Sequence, residues 1–250
     1  MQAASLRDHL SDRRTRNDRT RVSFARSTFT FAHAMPTFLT VLRSGGRYTP
    51  LWVAALARAV RQHASAFDRF LVLSDVAFAL PGVERLPLRR AWPGWWSKME
   101  AFRPGLADDV TVMCDLDTII TAPVDVLARP GLATMEDAFH GGRVSSALMR
   151  WRGDELADIY RAFAADPMRW MEPGACGPVP NAVHGDQVVI DHLLRRTGRR
   201  PAFFQRAYPG LVEPWDPARP PAPVTFFIGE TKPVMDADGT LRSPPMEEAA

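Results

Sequence analysis

Apolar positions fall into two kinds of pattern along this chain. Residues 37–42 (Thr-Phe-Leu-Thr-Val-Leu), 69–74 (Arg-Phe-Leu-Val-Leu-Ser) and the start of 111–120 are continuous apolar runs of strand length. Such runs mark strands covered on both faces. Between the first two, Val53, Leu56, Ala57 and Val60 recur at helical spacing, with Arg58 and Arg61 off that face. With Thr49 as N-cap and Pro50 in the first turn, this predicts a helix over residues 50–64. Further on, the pattern predicts a short proline-limited strand at 83–88 and a short helix opened by residues 93–99 and running to about Phe102. It then gives a turn or short helix at 123–127, a strand at 145–151 and an amphipathic helix at 154–165. Residues 168–181 are irregular, a helix over 188–196 stops at Gly198, and late strands fall at 203–204 and 224–227. Strands alternating with helices predict one α/β domain around a mostly parallel central sheet. It spans residues 36–240, between a basic tail at 1–35 and a short tail at 241–250.

Composition supports a single domain with a substantial core, since 46% of the 250 residues are hydrophobic. Charge is uneven. Residues 1–26 hold seven Arg against three Asp, which leaves 24 basic and 25 acidic residues elsewhere, so the body is not a nucleic-acid surface. Cys114 and Cys176 belong to no Cys-x-x-Cys pair. No stretch approaches the roughly 18 apolar residues of a membrane span, and residues 29–42 are broken by His33 and Pro36. The chain reads as a cytoplasmic protein with no transmembrane segment, whose basic tail could touch an anionic membrane surface.

Candidate chemistry centres on Asp115-Leu116-Asp117. In an extended strand, residues two apart share a face, so both carboxylates are expected to leave the strand end together. Paired anions call for a cation, and Mg²⁺ or Mn²⁺ shared with a phosphate is the simplest one. After the first strand, Arg43-Ser44-Gly45-Gly46-Arg47-Tyr48 forms a strand–glycine–helix joint where backbone can approach a ligand and Arg43 or Arg47 can meet phosphate. Lysine occurs only at Lys98 and Lys232.

Five stretches occur in order: Gly94-Trp95-Trp96-Ser97-Lys98, Asp115-Leu116-Asp117, Ser145-Ser146-Ala147-Leu148-Met149, His184-Gly185-Asp186-Gln187 and Gly229-Glu230-Thr231-Lys232-Pro233. Together they resemble nucleotide-sugar glycosyltransferases of the GT-A fold, and are similar to bacterial relatives of glycosyltransferase family eight. The resemblance covers roughly residues 38–234. It implies a donor that is a uridine diphosphate sugar, and an acceptor (glycan, lipid or protein) that it does not specify. Asp115 and Asp117 would hold Mn²⁺ or Mg²⁺ against the donor diphosphate, with Asp115 also meeting the ribose. Lys98 would lie beside the phosphates, and Lys232 in a loop closing over them. Ser145 and Ser146 would line the sugar pocket, with Asp186 and Gln187 beside the anomeric carbon as the catalytic pair. Arg43, Tyr48 and Leu116 complete the donor-binding set. Two positions depart from the pattern: Ile228 stands where relatives carry a metal-binding His, and Val144 where they tend to have Asn.

Two rival readings start from the same residues. A nucleotide-sugar-binding protein with weak or lost turnover is motivated by Ile228. A haloacid-dehalogenase-like phosphatase is suggested by Asp115-Leu116-Asp117-Thr118-Ile119 and Gly185-Asp186. That mechanism needs a lysine between its two acidic motifs, and none occurs between Asp117 and Gly185.

Overall fold

The computed structural model describes residues 35–178 and 182–244. Apart from Met35, the basic tail expected at 1–35 lies outside the described residues. The elements in chain order are β1 (Thr37–Leu42), α1 (Pro50–His63), β2 (Arg69–Ser74), β3 (Glu84–Pro87) and a 3-10 helix (Gly94–Phe102). Next come β4 (Val110–Cys114), β5 (Ile119–Ile120), a 3-10 turn (Asp125–Ala128), β6 (Ala133–Glu136) and β7 (Val144–Arg152). They are followed by α2 (Ala157–Ala165), α3 (Pro167–Met171), α4 (Asp186–Arg196), β8 (Ala202–Phe203) and α5 (Phe204–Ala207). The chain closes with β9 (Val212–Pro214), β10 (Val224–Phe226), β11 (Val234–Met235) and β12 (Leu241–Arg242).

Seven strands form the main sheet in the order β3-β2-β1-β4-β7-β6-β8. β3, β2, β1 and β4 run parallel, and β7 is antiparallel to both β4 and β6. The mostly parallel α/β domain expected from the sequence is therefore the fold observed.

Strand alternation builds the two sides of the core. Phe38, Leu42, Val72 and Val112 pack with the apolar stripe of α1. Their neighbours Leu39, Leu71 and Met113 pack with Met99 and Phe102 of the first 3-10 helix and with Val189, Ile190 and Leu193 of α4. Each such side chain stabilises the fold by about 1.5–3 kcal/mol relative to exposure.

Several local expectations need correcting. β4 ends at Cys114, and Asp115 to Thr118 form a turn before β5, so the two acidic residues do not sit on an extended strand. Thr49 occupies the cap of α1 without a side-chain capping bond; its carbonyl accepts from Trp52 instead. Helix α2 begins at Ala157, after a turn over residues expected to be helical, and α3 (Pro167–Met171) runs into the stretch expected to be irregular from residue 168. Phe204 opens a helix rather than extending a strand. β12 pairs with β11 and buries Leu241, so the folded domain continues past residue 240.

Candidate active site

Parallel α/β sheets bind ligands beyond the carboxyl ends of their strands. Here that edge collects the end of β1, the end of β4, the start of the reversed strand β7 and the end of β6. A cleft of about 680 Å³ opens there. All of the expected site residues line it: Arg43, Tyr48, Lys98, Asp115, Leu116, Asp117, Ser145, Ser146, Asp186, Gln187 and Lys232. They do not all present a functional group to it. Leu116 is buried in the core. The Arg43 guanidinium pairs with Asp75 at 3.1 Å.

Lys98 is the hub. Its side chain, 14% exposed, comes from the 3-10 helix under the cleft and contacts three groups. Nζ lies 3.1 and 3.2 Å from the two oxygens of Asp115, 3.0 Å from Asp186 Oδ2 and 3.2 Å from Ser146 Oγ. Ser146 Oγ in turn donates to Asp186 Oδ2 at 2.7 Å. Asp186 is the first residue of α4, and its carboxylate faces Lys98 and Ser146 instead of capping the helix. Burial works against the charge on Lys98, but Asp115 and Asp186 outweigh it, and its pKa is raised above the ordinary lysine value. Burial pushes Asp115 up to about 6; Lys98 opposes this, while Asp117 and Asp186 add to it.

Asp117 has its own pair of partners. Tyr48 donates to Oδ2 at 2.7 Å, and Lys232 Nζ lies 2.8 Å from the same oxygen. Burial, then the neighbouring carboxylate, hold the Tyr48 phenol above its ordinary pKa, so it stays a donor. Unit charges about 4 Å apart attract by about 4 kcal/mol at a surface-like effective dielectric. Each acidic residue thus carries a lysine close enough to offset its repulsion of the other.

Other parts of the cleft were not singled out in the sequence. Asp137, just after β6, accepts from the Gln187 amide and from the backbone N–H groups of Phe139 and His140. Trp95 (53% exposed) and Phe139 (73%) stand in the wall. Trp95 packs over Gly185, where an added Cβ would lie 3.2 Å from the indole nitrogen, so only glycine admits the ring there without adjustment. Asp137 acts through Gln187, fifty residues later, which no local pattern reveals. Trp95 belongs to the Gly94–Lys98 stretch, next to its buried neighbour Trp96.

As a donor set, Asp115 and Asp117 offer hard carboxylate oxygens on one cleft, which suits Mg²⁺ or Mn²⁺. Ile228 lines the same cleft and offers none. Among the described residues there is no cluster of three His, Cys, Asp or Glu side chains able to hold a metal ion. The pair therefore fits a cation that takes its remaining ligands from a bound phosphate and water.

Fold and cleft together are those of an α/β domain with a mostly parallel sheet and an open cleft at its carboxyl edge. The chain is similar in structure to the apo form of the glycosyltransferase GlyE of Streptococcus pneumoniae, with a TM-score of 0.53 and 12% identity over 80% of this chain. It spans 56% of the length of that protein, and at this identity the likeness is one of fold. No protein-family profile and no curated protein matches the sequence. No helix among the described residues is long and apolar enough to cross a membrane.

Proposed function

We propose that this protein transfers a sugar from a nucleotide diphosphate donor, a uridine diphosphate sugar, to an acceptor. The observation that carries this reading is the convergence of five separate sequence stretches on one cleft at the carboxyl edge of the sheet. In that cleft Lys98 ties Asp115, Ser146 and Asp186 together.

In this reading the nucleotide lies toward the loop after β1, and the diphosphate lies over Asp115, Asp117 and Lys232. The sugar lies over Ser145, Ser146, Asp186 and Gln187. Asp115 and Asp117 would hold Mn²⁺ or Mg²⁺, which when bound supplies Lewis-acid stabilisation of the departing diphosphate. Lys98 holds the Asp115 and Asp186 carboxylates at fixed positions and adds positive charge beneath the reacting bond. Asp186, oriented by Ser146 and Lys98, presents negative charge where positive charge develops on the sugar ring. Gln187 is steadied by Asp137 and orients a sugar hydroxyl.

The test is release of uridine diphosphate from uridine diphosphate sugars in the presence of Mn²⁺, without added acceptor. Slow release that falls at least about a hundredfold in Asp186→Asn supports a transferase. Tight donor binding with no release would favour a binding protein, the reading that Ile228 motivates. The phosphatase reading gains nothing from the fold, because Asp186 opens a helix and the lysine on Asp115, Lys98, precedes both acidic motifs instead of lying between them.

A further inference from the structure

The acidic pair does not face the cleft bare. The chain has 31 basic residues, of which only Lys98 and Lys232 are lysines, and each rests on one member of the pair. An ammonium is a compact point charge that can stand where a metal ion would, whereas a planar guanidinium cannot. We propose that these two lysines make uptake of a divalent cation conditional on the nucleotide. The acidic pair takes the cation only together with a diphosphate, and Lys232 exchanges Asp117 for a phosphate oxygen as it enters. This inference rests on the donor reading above.

Three observations carry it. The two lysines differ in freedom. Lys98 rises from a buried helix and is held by Asp115, Asp186 and Ser146, so it stays in place. Lys232 belongs to the loop between β10 and β11, is 21% exposed and meets a carboxylate only at Asp117 among the described residues. That loop's other ion pair is the exposed contact of Arg47 with Glu230 at 3.6 Å. Tyr48 stays on Asp117 Oδ2 when Lys232 leaves and keeps the carboxylate oriented.

The two ammonium groups also occupy the oxygens a cation needs: Lys98 lies 3.1 Å from Asp115 and Lys232 2.8 Å from Asp117. A dication entering alone would sit beside both; one entering with a diphosphate brings the anion that draws Lys232 away. Finally, Ile228 gives the cleft no further protein ligand, so a cation without nucleotide would hold only the two lysine-paired carboxylates and water, and a diphosphate supplies the anionic oxygens it lacks.

Electron paramagnetic resonance of Mn²⁺ separates the outcomes, because the sharp signal of the free ion is lost on binding. With wild-type protein alone the free signal should persist; adding uridine diphosphate should remove it. Lys232→Met, which keeps the apolar stem, should bind Mn²⁺ without nucleotide at least about tenfold more tightly than wild type, and Lys232→Arg should fall between them. Equal Mn²⁺ uptake with and without uridine diphosphate would overturn the inference. So would an unchanged Mn²⁺ affinity in Lys232→Met. Uridine diphosphate binding that neither needs nor recruits Mn²⁺ would also overturn it, while leaving the donor reading intact. Absence of uridine diphosphate binding in every arm, read by the thermal stability of the same samples, would remove the donor reading and this inference with it.

Discussion

At the scale of single residues, the cleft is a set of acids that are each answered by a named donor. Asp115 is answered by Lys98, Asp117 by Tyr48 and Lys232, Asp186 by Ser146 and Lys98, and Asp137 by Gln187. Such networks fix geometry because breaking one contact strands a buried partner. The raised pKa of Asp115, about 6, has a consequence with a definite sign. A carboxyl raised above its unfolded value adds stability at low pH that is lost as pH rises through about 6. Ligation needs the opposite protonation state, since a metal-binding carboxylate must be ionised. Affinity for uridine diphosphate with Mn²⁺ is therefore expected to be flat above pH 7. It should weaken by up to about tenfold per unit below 6, measured by calorimetric titration. A pH-independent affinity between 5 and 7 would show that Asp115 does not contribute.

At the scale of elements, the 3-10 helix Gly94–Phe102 is the piece that delivers Lys98, and it is anchored by a buried charge. Glu100 is fully buried, accepts from the backbone N–H groups of Arg89 and Arg90 at 2.8 and 2.6 Å, and pairs with Arg103 at 2.7 Å. Glu100→Ala leaves Arg103 buried and unpaired and should cost about 3–5 kcal/mol in urea unfolding. A loss under about 1 kcal/mol would mean the anchor is not what holds this helix.

Elements also show what the sequence could and could not reveal. β1 and β2 were legible to the residue because each is a short apolar-rich run closed by a charged residue, Arg43 after β1 and Asp75 after β2. β6 was not, since its four residues follow Pro130-Gly131 and include Thr134 and Glu136. The acidic pair was legible as chemistry but not as geometry. A turn after β4, rather than strand alternation, brings Asp115 and Asp117 to the same cleft. Asp137 and the pairing of each lysine with its acid depend on contacts across 17 to 115 positions, which periodicity cannot encode.

At the scale of the whole molecule, one reversed strand shapes the site. If β7 ran parallel to β4, its N-terminal residues Ser145 and Ser146 would lie at the opposite edge of the sheet. Because it is antiparallel, they meet Lys98 and Asp186 at the carboxyl edge of β4. The central claim is that this edge holds a nucleotide diphosphate through Asp115, Asp117 and the two lysines. Thermal unfolding with uridine diphosphate and Mn²⁺ tests it most directly. At about 100 times the dissociation constant, ligand adds about 2.7 kcal/mol, or roughly 5–10 °C for a domain of this size. Wild type should show that rise and Asp117→Asn less than half of it. Equal rises in both proteins, or none in wild type, would contradict the account.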